Sequence, residues 1–354
     1  MKTDVDIFKF IVKIGKYWGP FPIEGNFSAK ICYFAIASVF SVLAVISSVY
    51  VFTRATFDEN LGVTDIVIAF CNLTILLTHH VYCSYYGKCF NITSWNYLFQ
   101  NLATLDEFSM ERNIISHLVK VICMLAIFLC PGCVIVLKNE IEDYQNWLYM
   151  LSGGFQVLTV LQLFYLIVFW CETCNILSSR YKRINDIVRQ IYSEDIFVQQ
   201  KRMEEIKNVI VSVHKTVKYV NEAAGFFILA LLIMAFFDSL FCLNIFLLVQ
   251  GDVPFFEIYW FLLDAISFIV LSIIVIMSCD QVEKKSTEFI QTCIYIQATT
   301  GDEQAATLAN LANQLRPKFS AAGFFDINQR LLPVFFSNLS TYLIIILQFK
   351  ISSL

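Results

Sequence analysis

Ser337-Asn338-Leu339-Ser340-Thr341-Tyr342, continued by Leu343-Ile344-Ile345-Ile346-Leu347-Gln348-Phe349, lies within the closing stretch Leu331 to Leu354. The stretch is apolar enough to cross a bilayer, yet Asn338, Thr341, Gln348 and Ser352 are polar. At about 100° per residue, those four positions and Ile345 fall within an arc of about 80°, because their spacings alternate between three and four. A membrane helix with one wettable face either borders a water path or packs against a sister helix.

Composition agrees that the medium is lipid. Hydrophobic residues make up 58% of the 354-residue chain and charged residues 15%, against roughly 45–50% and 25% in an ordinary globular domain. Windows of about 20 apolar residues, enough to cross about 30 Å of hydrocarbon, recur near 31–53, 62–86, 118–137, 148–171, 224–249, 258–280 and 331–353. The predicted fold class is therefore an all-α membrane protein with seven transmembrane helices. No signal-peptide core precedes Lys30, so the first span is expected to direct insertion itself.

The loops set the orientation. The N-terminal segment and the loops 87–117, 172–223 and 281–330 carry 21 Lys and Arg between them, and the opposite face carries three, Arg54, Lys138 and Lys350. By the positive-inside rule the N-terminus is cytoplasmic and the C-terminus extracellular. This is opposite to a G-protein-coupled receptor. The outer linkers are short and acidic, with Asp58, Glu59, Glu140, Glu142, Asp143, Asp252 and Glu257, a distribution that concentrates cations at an external mouth. The sequon at Asn91 falls inside on this topology and is expected to stay unglycosylated.

The inner loop 172–223 is too long to be structureless. Leu177, Tyr181, Ile184, Val188 and Ile191 repeat at helical spacing and continue the fourth span inward. Ile206, Val209, Ile210, Val213, Val217 and Val220 do the same ahead of the fifth. Apolar stripes need partners. They either pack on each other within one subunit or, with Leu308, Leu311 and Leu315, form a core where subunits meet. The chain thus divides into 1–171 (N-terminal segment and four spans), 172–223 (cytoplasmic helical extensions), 224–280 (two spans), 281–330 (cytoplasmic loop and helix) and 331–354 (the last span).

Ionisable groups within spans mark the remaining candidates. An acid in hydrocarbon costs several kcal/mol unless it is paired or faces water, so Asp238 and Asp264 are expected to point into a cavity. With Trp260, Trp147, Tyr149 and Gln156, and with Asp65 and Asn72 in the outer half of the second span, they outline an outward-opening pocket. Its aromatic walls and few polar anchors suit a small organic ligand. Cys130/Cys133 and Cys171/Cys174 have metal or redox spacing but no companion ligands nearby, and read as buried thiols. Adjacent His79 and His80 do not share a helix face. Phosphate-loop, zinc-protease and nucleophile-elbow motifs are absent from the sequence, and the basic residues are not clustered as nucleic-acid patches are. The reading is a non-enzyme with neither cofactor nor metal, whose partners are the lipid bilayer and a small molecule rather than nucleic acid.

Thr341-Tyr342, five apolar residues, then Gln348-Phe349 resembles the signature of insect gustatory receptors, and Ala321-Ala322-Gly323-Phe324-Phe325-Asp326-Ile327-Asn328 is similar to the segment preceding that family's last helix. The resemblance implies a tastant-gated, non-selective cation channel in the plasma membrane of sensory neurons, with four subunits around one pore lined by the last helix. It implies that the inner helices anchor the tetramer. It also implies that Gln348 and Phe349 sit at the gate, with Thr341 and Ile345 lining the path. Leu343 follows Thr-Tyr where sweet-sugar receptors of the family carry Glu, which argues against that clade. An insect odorant receptor subunit, a metabotropic receptor and a transporter are the competing readings. Paired broken helices of an inverted-repeat transporter are not visible.

Overall fold

In the computed structural model, residues 63–82, 92–104, 147–191, 196–248 and 255–352 are described, together with isolated positions between 13 and 53. The expected third span, 118–137, and part of the first lie outside these residues. The described elements are α1 (Val63–Val81), α2 (Ile92–Thr104), α3 (Trp147–Ile191), α4 (Ile196–Leu248), α5 (Phe255–Thr300), α6 (Glu303–Gln314), a hairpin of β1 (Ser320–Ala321) and β2 (Phe325–Asp326), and α7 (Leu331–Ser352).

Three helices dominate because nothing in their sequences stops them. Helices α3, α4 and α5 run for 45, 53 and 46 residues, and none has an internal proline. At about 1.5 Å per residue each is roughly 65–80 Å long, more than twice the hydrocarbon thickness. Four helices are long and apolar enough to cross a membrane among the described residues: Leu161–Gln190, Gln199–Leu243, Ala265–Thr300 and Leu331–Gln348.

The stripes read from the sequence are the core of this bundle. Leu177, Tyr181, Ile184 and Val188 of α3 are fully buried, as are Ile210, Val213 and Val220 of α4. They join Val275, Val282, Phe289 and Cys293 of α5 in one contiguous cluster. Of the two alternatives for these stripes, packing within one chain is the one realised. Helix α6 closes the same core with Ala305, Leu308 and Ala312. Its turn is made by Gly301, whose φ of 73° carries the chain past the end of α5, and by Asp302, whose side chain caps α6 by accepting from the Gln304 N–H at 2.9 Å.

The 87–117 segment, expected as a loop, contains α2. The helix buries Trp95, Leu98 and Leu102 completely or nearly so, and Trp95 meets Phe169 of α3 edge-on at 5.4 Å. Spacings of three and four place these side chains on one face. His80 of α1 is buried and lies 3.0 Å from the Ser41 hydroxyl, a tie between the first two spans.

Candidate pore helix and its seating

Helix α7 is apolar but has no fully buried side chain among those described. It leans on α4 through one face. Phe335 and Tyr342 both meet Phe236 of α4 edge-on, at 6.0 Å and 5.6 Å. The seam read from the sequence turns the other way: Asn338, Thr341 and Gln348 are exposed and Ile345 is 38% exposed. Phe349 lies in α7, and its side chain is outside those described.

The polar groups of this face differ in what they need. Ser340 and Thr341 each donate back to the carbonyl four residues earlier, Phe336 and Ser337, at 2.9 Å, so both hydroxyls are compatible with lipid. The carboxamides of Asn338 and Gln348 have no such local acceptor. An amide moved into hydrocarbon without a hydrogen bond costs roughly 2–7 kcal/mol. With two of them on one face, the seam calls for water or another polar surface rather than lipid.

The seat of α7 is a strap of chain, 315–330, held between α4 and α5. Its β-hairpin turns at Ala322 and Gly323, with φ of 52° and 82°, the two positive values that a type I′ turn requires. Gly225 of α4 lets the hairpin lie against the helix. A β-carbon there would stand 2.8 Å from Ala322 N and 2.9 Å from Ser320 O. One turn earlier, Asn221 uses both ends of its amide, donating to the Lys318 carbonyl at 2.8 Å and accepting from the Ser320 N–H at 3.1 Å. It acts as one more residue of β-ladder, supplied by a helix.

Across the strap, Phe319 is buried against Trp170 of α3 with ring centroids 5.7 Å apart, and Trp170 donates from Nε1 to Cys279 Sγ of α5 at 3.0 Å. Asp280 then anchors the far side. Its Oδ1 accepts from the Gln329 N–H at 3.4 Å and its Oδ2 pairs with Lys284 Nζ at 2.7 Å, while Lys284 also donates to the Gln329 side chain at 3.2 Å. Asn328 Oδ1 accepts from the Arg330 N–H at 3.0 Å, and α7 begins at the next residue. Pro333 falls in its first turn, where a missing N–H breaks no helical bond. The strap thus ties α4 and α5 to the start of α7 through hydrogen bonds from the Asn221 and Asp280 side chains to its backbone.

The expected ligand pocket stands differently. Asp65 and Asn72 lie on α1, Trp147, Tyr149 and Gln156 on α3, and Trp260 and Asp264 on α5; their side chains are outside those described. Asp238 is half-buried on α4 and engaged by a neighbour. Because α3, α4 and α5 follow one another through short links, 192–195 and 249–254, and pack side by side, the start of α3, the end of α4 and the start of α5 belong to one end of the bundle. That is the end bearing Trp147, Tyr149, Asp238, Trp260 and Asp264. The sequence singled out 321–328 of the strap only through the family resemblance; neither its contacts nor Asn221 were read from the sequence.

A polytopic helical membrane protein, with an exposed polar face on its last helix and that helix seated on its two longest neighbours, is the class the fold defines. The chain belongs to the 7tm chemosensory receptor family, whose sequence profile matches residues 8–353. This is a family of receptors and not of enzymes. No curated protein matches the chain by sequence. Among solved structures it is similar in fold to the insect olfactory receptor OR5 from Machilis hrabei, with 11% identity, 97% of each chain covered and a TM-score of 0.64. The same receptor in complex with eugenol gives a TM-score of 0.67 at the same identity and coverage.

Proposed function

We propose that this protein is a gustatory receptor acting as a tastant-gated cation channel, in which four subunits place α7 around a common axis. The observation that carries the reading is the outward-facing seam of α7, which bears Thr341, Ile345 and Gln348 within the Thr-Tyr…Gln-Phe signature. In a four-fold ring the seam faces water while its flanks touch sister helices, which answers the demand of both carboxamides. Closed, an apolar ring including Phe349 blocks ions by dewetting; open, Gln348 replaces it and offers neutral dipoles to a hydrated cation.

The ligand acts by its differential affinity for two shapes of the pocket at the outer end of α3, α4 and α5. Trp147, Tyr149, Gln156, Asp238, Trp260, Asp264, Asp65 and Asn72 are the residues proposed to line it. Motion of these helices is passed to α7 through the strap at Asn221, Gly225 and Asp280. The test is patch clamp of cells expressing the chain alone under a panel of sugars and plant alkaloids. Gln348→Ala is expected to change permeability ratios or basal current, and unchanged ratios and gating would count against a pore-lining seam.

The likeness to an olfactory receptor supports a second reading, an odorant receptor subunit sharing the same channel mechanism. Current from this chain expressed by itself separates a self-sufficient receptor from a subunit that needs a co-receptor. Ligand-evoked current in excised patches without nucleotide separates a channel from a receptor that signals through another protein.

A further inference from the structure

We propose that the groove between α4 and the strap is a binding site for the headgroup of an anionic phospholipid of the inner leaflet. The groove has a volume of about 990 Å³ and is bordered by Lys218 of α4 and by Arg316 and Lys318 of the strap. Lys218 and Lys318 are exposed. Arg316 is half-buried, and its Nε finds no hydrogen-bond partner among the described residues. The acid on the groove wall, Glu222, accepts a hydrogen bond from Ser94 of α2 at 3.3 Å, which turns it toward α2. Three cations against one engaged carboxylate leave the groove positively charged, and guanidinium and ammonium groups together suit a phosphate ester.

The other end of the groove is apolar. Tyr82, just past the end of α1, stacks on Phe226 of α4 with centroids 4.5 Å apart, and both line the groove. Phe226 stands at the start of the expected fifth span, and Lys218 lies two turns before it on the cytoplasmic extension. Aromatic rings at the membrane boundary with cations just beyond are the arrangement that holds an inner-leaflet lipid by its glycerol region and its phosphate. A soluble phosphate would use the cations and leave the rings idle. Asn221 and Ser320 also border the groove, so a bound headgroup sits on the seat of α7. The inference rests on the cytoplasmic orientation of this face, and it is independent of whether the receptor senses taste or odour.

The test uses the full-length protein in detergent and a fluorescent short-chain phosphatidylinositol bisphosphate, followed by fluorescence anisotropy. Each surface cation contributes enough that Lys218→Glu with Lys318→Glu is expected to weaken binding by roughly thirtyfold or more. The same charge change placed elsewhere on α4, Lys201→Glu with Lys207→Glu, should leave binding within about twofold. Lys218→Gln with Lys318→Gln replaces the first variant if charge reversal prevents folding. Equal binding by the groove variant and wild type, or equal loss in both variants, overturns the site. Soluble inositol trisphosphate or inorganic phosphate is expected to displace the lipid poorly, and displacement as effective as that by unlabelled lipid overturns the lipid assignment. Orientation is read separately from Lys218→Cys. Reaction with a membrane-impermeant maleimide only after permeabilisation supports the cytoplasmic placement, and reaction in intact cells refutes that placement rather than the groove's affinity.

Discussion

Asn221 spends both ends of its carboxamide on the backbone of a segment about a hundred residues away in sequence, at Lys318 and Ser320. Removing it strands a strand N–H, so Asn221→Ala should cost about 1–3 kcal/mol, seen as a lowered melting temperature of the purified receptor. Asn221→Asp keeps the acceptor for the Ser320 N–H but sets a carboxylate against the Lys318 carbonyl, and should recover part of that loss at most. Ala322 is the non-glycine residue with positive φ among those described, at 52°. A left-handed residue with a β-carbon costs roughly 1–2 kcal/mol. Glycine relieves this but adds unfolded-state entropy of nearly the same size. Ala322→Gly is therefore expected to be close to neutral, and Ala322→Val to destabilise by about 1–3 kcal/mol; equal melting temperatures for the two would contradict the turn geometry.

At the level of elements, the strap is the one short piece of chain that touches α3, α4 and α5 and then becomes α7. Its two anchors differ in kind. The Gly225 contact is steric and fixes distance, and the Asp280–Lys284–Gln329 cluster is polar and fixes the direction in which α7 starts. Asp280→Asn removes the charge that holds Lys284 at 2.7 Å without changing size. In single-channel recordings it is expected to alter basal open probability while leaving permeability ratios as they were. A change in permeability ratios would place Asp280 in the ion path instead. Gly225→Val forces backbone apart at 2.8 Å and should cost about 1–3 kcal/mol by overpacking, which exceeds the fraction of a kcal/mol that valine gains over glycine as a helix former.

For the whole molecule, the balance lies between a core completed within one chain and a last helix that is not. The inward stripes of α3, α4, α5 and α6 are satisfied inside the protomer, so they do not by themselves demand an oligomer. Helix α7 is the element that the proposed four-fold assembly would complete, because its exposed carboxamides need water or another polar surface rather than lipid. Chemical cross-linking of Ser337→Cys in membranes is expected to give covalent multimers if α7 meets its sister helices, and monomers throughout would argue against a shared axis.

Local periodicity was enough for four of the expected spans, those of α3, α4, α5 and α7, for the stripes of α3 and α4, and for the exposed seam of α7, because helical spacing alone decides which side chains share a face. It could not show that the two inward stripes meet each other within one chain, since an apolar face is equally content against any apolar partner. Nor could it mark α2, whose Trp95, Leu98 and Leu102 sit among polar residues over 13 positions, too short a pattern to stand out from a loop. The strap was the least visible feature. A glycine whose missing β-carbon makes room for another segment looks, in sequence, like any other glycine of an apolar helix. The tertiary fold brought Gly225 to Ala322 and Asn221 to Ser320, and contacts between residues so far apart along the chain leave no trace in the spacing of either one's neighbours.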